Sequence, residues 1–303
     1  MNTNRKVVLV GAGFVGMSMA YSLLNQGGVN ELVLIDVNKD KTVGEEMDLS
    51  HGLPYAPHKM KIKAGDYSEC KDANIVVITA GLAQKPGQTR LELAVVNAKI
   101  MKEITQNVMA NGFSGVFIVA SNPVDLMSYV VAEVSRMPKS RVIGSGTVLD
   151  TARLRYIIGE KININPKSIH TYVIGEHGDS EFVLWSSALI GSEKIDKYLT
   201  KDEMIKIESD VRNAAYEIID RKGATYYGIA MCLTRITNAI LNNESSIITV
   251  SSYDEENDIY FSTPSVINKD GAIKKMKVEL NKTEQEQLET SINVIKEAIK
   301  RIE

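Results

Sequence analysis

A lysine and four branched apolar residues, KVVLV at 6–10, give way at once to GAGFVG at 11–16 and then to helix-period sequence. Nothing else in the 303-residue chain limits its fold so tightly. In a strand that ends on glycines spaced G-x-G-x-x-G and feeds a helix, each glycine has a task. Gly11 permits the tight turn, Gly13 lets a pyrophosphate reach the backbone, and Gly16 lets the helix pack on the strand. The phosphates then meet exposed N–H groups at the helix N-terminus. The next apolar run, ELVLID at 31–36, ends in Asp36, twenty residues past Gly16. A carboxylate there hydrogen-bonds the two ribose hydroxyls and repels a 2′-phosphate. The pattern predicts a dinucleotide site that prefers NAD to NADP.

Further short apolar runs follow at 74–81 (NIVVITAG) and 115–123 (GVFIVASNP), with helix-period stretches near 14–26, 40–50 and 90–110. Near-continuous apolar runs separated by helices are what strands covered on both faces require. The first half therefore reads as a Rossmann-type, doubly wound parallel sheet. After residue 150 the texture changes. A helix at DTARLRYIIGEKI precedes a strand-like SIHTYVIG at 168–175 and helices near 201–221 and 223–242. SIITVSS (246–252) and DIYFSTPSVI (258–267) read as antiparallel strands. Leu288, Ile292, Ile295, Ile299 and Ile302 line one face of a terminal helix, for which Thr283 and Glu286 offer a capping box. The expected division is an NAD-binding Rossmann domain at 1–148 and an α+β catalytic domain, with antiparallel strands, at 149–303.

Composition narrows the function. A net charge of −3, with basic residues scattered, gives no footprint for nucleic acid or an anionic membrane. The basic, apolar N-terminus superficially resembles a secretory signal, but glycines interrupt it, and no segment approaches the roughly 18 apolar residues of a membrane span. Two distant cysteines, Cys70 and Cys232, suit a reducing compartment and small core positions, and neither has metal-ligand spacing. The expectation is a cytoplasmic protein with no metal.

Hydride transfer to a carbonyl beside a carboxylate needs a proton donor, a group to orient it, a cation on the carbonyl oxygen and a clamp for the carboxylate. His177, in GEHGDS, is the candidate donor, because histidine changes charge near neutral pH. Asp150, in GTVLDTARLR, can orient it and stabilise the imidazolium. Arg153 shares a helix face with Asp150, and its planar fork suits a carboxylate. Arg90 follows the Gly- and Pro-containing GLAQKPGQT, from which an arginine can swing over a site and polarise a carbonyl. Asn122, in SNPVD, can bond His177 or substrate. Each also has a plain reading: a helix salt bridge for Asp150 with Arg153, a solvated loop charge for Arg90, a turn for His177 and Asn122. It is their occurrence together behind a dinucleotide loop that favours the site.

From the first strand to the last helix the chain resembles the lactate/malate dehydrogenase family, through GAGFVG, LIDVN, TAGLAQKPGQTRLEL, SNPVD, GTVLDTARLR, GEHGDS and KGATYYGIA. The resemblance implies His177 as acid/base, Asp150 as its partner, Arg90 on a mobile loop, and Arg153 on the substrate carboxylate, with Asn122 as the active-site asparagine. It extends the NAD contacts to Phe14, Val15, Ala80, Gly81 and Asn122. In the family the residue six before the loop arginine faces the substrate's third carbon; here it is Gln84, where malate enzymes carry arginine. A neutral Gln84 would leave a second carboxylate unpaired, and Thr225 in KGATYYG matches the lactate pattern. The implied reaction joins pyruvate and NADH to (S)-lactate and NAD. Arg155 and His170 match a pair that, in bacterial members activated by fructose 1,6-bisphosphate, binds the sugar's phosphates at a subunit interface; a helix charge and a strand-edge histidine are the plain alternatives. The short lead before the first strand suggests a homotetramer without the N-terminal arm of animal relatives. The competing readings are a malate dehydrogenase, which Gln84 argues against, an NAD-dependent family 4 glycosidase, whose expected C-x-H ligands are absent, and a non-catalytic NAD sensor.

Overall fold

A computed structural model describes residues 5–82 and 90–302, apart from the side chains of 90–92. Six strands form a parallel sheet: β1 (Lys6–Val10), β2 (Glu31–Ile35), β3 (Lys61–Ala64), β4 (Ile75–Ile78), β5 (Val116–Val119) and β6 (Val142–Gly144). Their order, β3-β2-β1-β4-β5-β6, is the doubly wound one, reversing direction between β1 and β4. Helices α1 (Phe14–Gln26), α2 (Lys39–Gly52), α3 (Arg90–Ala110), α4 (Val124–Ser135) and α5 (Val148–Ile162) lie along the first half of the chain and just beyond it.

The pleat explains the continuous apolar runs. Val8, Val10, Val33, Ile35, Val76 and Ile78 face a core completed by Met101, Ile104 and Val108 of α3 and by Leu126, Met127 and Val130 of α4. Their alternates Val7, Leu9, Leu32, Leu34, Ile75 and Val77 face Met19, Leu23 and Leu24 of α1 on the other side. Both faces of the sheet are dry, so the interior positions of the central strands are apolar. β3 was not foreseen: KIKA alternates lysine with apolar residues, as the outermost strand on its side of the sheet tolerates.

The second half differs from expectation in two ways. SIHTYVIG is not one strand; it divides into β7 (Ile169–His170) and β8 (Val173–Ile174), which belong to different small sheets. β8 pairs with β9 (Phe182–Val183), while β7 pairs with β10 (Leu189–Ile190), itself paired with β11 (Glu193–Lys194). Helices α6 (Lys201–Lys222) and α7 (Tyr227–Leu241) follow. Then β12 (Ser246–Asp254) and β13 (Ile259–Asn268) pair antiparallel as expected, joined by β14 (Gly271–Lys275). They do not form a separate sheet. Ser251 of β12 pairs with Gly144 of β6, so the three strands extend the parallel sheet to nine.

Helix α8 (Lys282–Lys300) closes the chain, with Ile295 and Ile299 buried and Leu288, Ile292 and Ile302 half-buried against the α3–α4 core. Its capping box is Asn281 with Glu284, not Thr283 with Glu286. Both pairs have the spacing, but the helix starts at the one whose acid is buried. Glu284 is 3% exposed and also accepts hydrogen bonds from the backbone and hydroxyl of Ser186, at 2.9 and 2.6 Å. Among the described residues, no helix is long and apolar enough to cross a membrane.

Candidate active site

The glycine loop has the geometry its spacing predicts. Gly11 turns with φ +110°, and a Cβ there would lie 2.6 Å from the Ala80 nitrogen. At Gly16 a Cβ would fall 2.1 Å from the Gly11 carbonyl oxygen, so only glycine lets α1 sit this close to the turn. Gly13 is different: a Cβ would meet no protein atom within 4 Å. Its bareness serves the approach from outside rather than internal packing. Gly13 caps α1 with no side-chain hydrogen bond and no acid in the first turn, leaving the N–H groups at Phe14, Val15 and Gly16 to the helix's positive end. Asp36 accepts hydrogen bonds from Ala12 N at 2.7 Å and Asn38 N at 3.0 Å, one on each oxygen. Each oxygen keeps a lone pair with which to accept from a ribose hydroxyl. An open Gly13, an uncapped helix end and a fixed carboxylate fit NAD.

Ala80 and Gly81 leave β4 beside this loop. Buried Asn97 of α3 accepts from Leu82 N at 2.9 Å and donates to the Asn122 carbonyl at 2.8 Å, bringing the β4 exit and the SNP turn together. The Asn122 side chain is exposed. Thr225 is half-buried between α6 and α7; its neighbour Tyr226 stacks on Phe14 at 5.2 Å, which brings that segment to the glycine loop.

The histidine loop is anchored from several elements. Gly175 exchanges backbone hydrogen bonds with Ser262 of β13, at 3.0 and 2.8 Å. Glu176 N donates to Ser291 Oγ of α8 at 2.6 Å, and His177 N donates to Asp125 Oδ2 of α4 at 2.8 Å. Gly175 is held to glycine by its backbone and its neighbour: its φ is +97°, and a Cβ would lie 2.5 Å from Ser291 Oγ. The helix carrying Asp150 docks on β8, the strand that leads into this loop, since Thr147 Oγ1 donates to Val173 O at 2.5 Å and Val173 N donates to Thr151 Oγ1 at 3.0 Å. Asp150 is thereby carried to His177.

Asp150 is 2% exposed and divides its two oxygens. Oδ2 lies 2.9 Å from His177 Nδ1, and Oδ1 accepts from Arg153 Nη1 at 2.6 Å. The helix salt bridge and the approach to His177, alternatives in the sequence, occur on one carboxylate. The line from Nδ1 to Asp150 falls off the direction of the ring N–H, leaving both atoms without an aligned hydrogen bond. Such bonds commonly tighten only when substrate arrives. The His177 side chain is 27% exposed, so the ring reaches solvent while Nδ1 stays buried.

Two acids at the site escaped the sequence reading. Asp125, 3% exposed, accepts from His177 N and from Ser251 Oγ at 2.5 Å; burial pushes its carboxyl up to about 6 against those bonds. Glu181, 5% exposed, puts Oε2 3.8 Å from His177 Nδ1, and burial pushes it up to about 7. Burial also opposes charge on the other two members. Even so, His177 is held well above its ordinary value, chiefly by Asp150, and Asp150 below its own by His177 and Arg153. The acid four residues past the histidine was the available signal for Glu181; Asp125 had none beyond its place in SNPVD. Ligand atoms of Asp150, His177 and Glu181 lie within 4.8 Å of one another, a spacing a metal could bridge, but the Arg153 guanidinium already faces Asp150.

Away from this centre, Arg155 Nε donates to the Thr171 carbonyl at 3.2 Å, beside exposed His170. Burial lowers the Arg155 pKa. Gln84 lies outside the described residues, as does the side chain of Arg90, which opens α3.

Family models match both halves: residues 5–144 the lactate/malate dehydrogenase NAD binding domain, and residues 147–303 the alpha/beta C-terminal domain. L-lactate dehydrogenase 2 of Bacillus cereus is 50% identical over 304 aligned residues, 97% of each chain. Among solved structures, a lactate dehydrogenase from a Medee basin deep-sea metagenome library is 51% identical with a TM-score of 0.96, covering 99% of both chains. The ligands-bound minor L-lactate dehydrogenase of Enterococcus mundtii is 45% identical with a TM-score of 0.98, covering 100% of this chain and 99% of that one.

Proposed function

The chain belongs to the lactate/malate dehydrogenase family as an NAD-dependent oxidoreductase of the L-lactate type, and from that premise we propose that His177 is its proton donor and acceptor. NADH supplies the hydride that reduces the keto carbon of pyruvate. His177 gives its proton to the carbonyl oxygen, yielding (S)-lactate, and recovers it in the reverse direction. Asp150 fixes the ring's tautomer and stabilises the imidazolium. Arg153 grips the substrate carboxylate with the guanidinium donors not turned to Asp150, while Arg90 polarises the carbonyl and Asn122 orders the site. Gln84 and Thr225 face the methyl end. Gly11, Gly13, Phe14, Val15, Gly16, Asp36, Ala80, Gly81 and Asn122 hold the nucleotide. The observation that carries the reading is the 2.9 Å approach of His177 Nδ1 to an Asp150 already paired with Arg153.

Arg155 and His170 bind fructose 1,6-bisphosphate across an interface of a homotetramer in the cytoplasm, where the enzyme serves pyruvate fermentation after glycolysis. The sugar's phosphates relieve repulsion between the gathered cations. Arg155's hydrogen bond to the Thr171 carbonyl, next to His170 at the end of β7, supports this. The test is NADH oxidation with pyruvate and with oxaloacetate, each with and without millimolar fructose 1,6-bisphosphate. Preference for pyruvate, raised by the sugar, is expected. Preference for oxaloacetate overturns the role of Gln84, and no response to the sugar overturns that of Arg155 and His170.

A further inference from the structure

We propose that Glu181 is a second carboxylate partner of His177, a positioning residue that with Asp150 holds the imidazolium during proton transfer. The proposal rests on the reading of His177 as the acid/base.

Two buried carboxylates converge on one ring nitrogen, Asp150 Oδ2 at 2.9 Å and Glu181 Oε2 at 3.8 Å from Nδ1. Neither makes a hydrogen bond to Nδ1, Asp150 for want of alignment and Glu181 for want of reach, so a small rotation of the imidazole re-aims the ring N–H between them. Asp150 has given its other oxygen to Arg153, whereas among the described residues Glu181 has no charged partner as close as His177. The Glu181 backbone is held in place: its nitrogen donates to Gly178 O at 3.3 Å, and its carbonyl accepts from Arg212 Nη2 at 3.0 Å.

The charged groups around this pair can be named element by element. From α5 come Asp150 and Arg153; from α6, Arg212, which also pairs with Glu208 at 3.2 Å. Asp125 of α4 sits under the His177 amide, Glu176 is on the same loop, and Cys232 of α7 is kept as a neutral thiol, pushed up to about 12 by burial. Asp150 and Arg153 already cancel one another's charge. A second ionised carboxylate beside Asp150 is therefore uncompensated unless the ring is charged. Glu181 accordingly carries its charge with the imidazolium and tends to protonation once the ring is neutral, consistent with a carboxyl raised to about 7. Its ionised form favours protonated His177, so its removal lowers the pH at which pyruvate reduction is lost.

The experiment compares wild type, Glu181→Gln and Glu181→Asp. It follows kcat/KM for pyruvate across pH and, in the free protein, titration of the His177 ring by NMR. An opposite charge at this range moves a midpoint by about one pH unit or more. The Gln variant is expected to lower both midpoints by about that amount, and the Asp variant to restore most of the shift. Lost activity with unmoved midpoints is what a purely structural residue gives, and it overturns the proposal. If Glu181→Gln does not fold, Glu181→Asp, its carboxylate withdrawn by a methylene, must still show a lower ring midpoint than wild type; an unmoved one overturns the proposal. A ring midpoint that shifts while the rate profile does not follow it supports the partnership and instead sinks the acid/base reading of His177.

Discussion

Asp125 is a carboxyl in the wrong place for stability. It lies 3% exposed beneath the histidine loop, and burial raises it to about 6 although His177 N and Ser251 Oγ both donate to it. A carboxyl raised on folding binds its proton more tightly in the folded state. Its contribution is fully present below the unfolded value of about 3.9 and is lost as pH rises towards 6. Two units at about 1.4 kcal/mol each make the ionised form about 3 kcal/mol worse at pH 8 than a neutral group making the same bonds. Asparagine is nearly that group: its carbonyl can accept from His177 N, and its amide can donate to Ser251 Oγ. Asp125→Asn is therefore expected to stabilise the protein by about 1–3 kcal/mol at pH 8, and by about half as much at pH 5. Urea denaturation at both pH values, at fixed protein concentration, measures this. A variant less stable than wild type at pH 8, or one whose effect does not change with pH, would refute the reasoning. Gained stability should come with lower turnover, because the amide supports the His177 backbone less strongly than a carboxylate does.

Gly13→Val should leave the melting temperature nearly unchanged, since a Cβ there meets nothing, while weakening NADH at least tenfold, about 1.4 kcal/mol, by fluorescence titration. Gly16→Ala should do the reverse in order of severity, unfolding several degrees earlier, because its Cβ strikes the Gly11 carbonyl; equal melting of both variants would contradict the loop geometry. Glu284→Ala strands the backbone N–H groups of Asn281 and Ser186 and should cost about 3 kcal/mol in urea, whereas a loss below about 1 kcal/mol would mean that water replaces the carboxylate.

Much of this architecture was legible because periodicity reports burial. Val7 to Val10 read as a strand covered on both sides, and both sides are covered. Leu288, Ile292, Ile295, Ile299 and Ile302 read as one helix face and pack as one. What was hidden depends on contacts distant in sequence. β12 and β13 read as antiparallel strands from the sequence, but their joining to the parallel sheet rests on Ser251 meeting Gly144. Choosing Asn281 over Thr283 as the cap required knowing that Glu284 is buried against Ser186. At the site, Asp150, Arg153 and His177 stood out by chemistry, and the structure gathers all three. Asp125 and Glu181 did not, because acids are ordinarily solvated and only the folded chain shows these two buried beside the imidazole.

Everything proposed for the reaction turns on the proton that His177 carries. The direct test is kcat/KM for pyruvate in His177→Asn, with NADH affinity measured on the same preparation. A fall of about a thousandfold, with NADH binding as in wild type, is the predicted result. Turnover within tenfold of wild type would mean that another group delivers the proton.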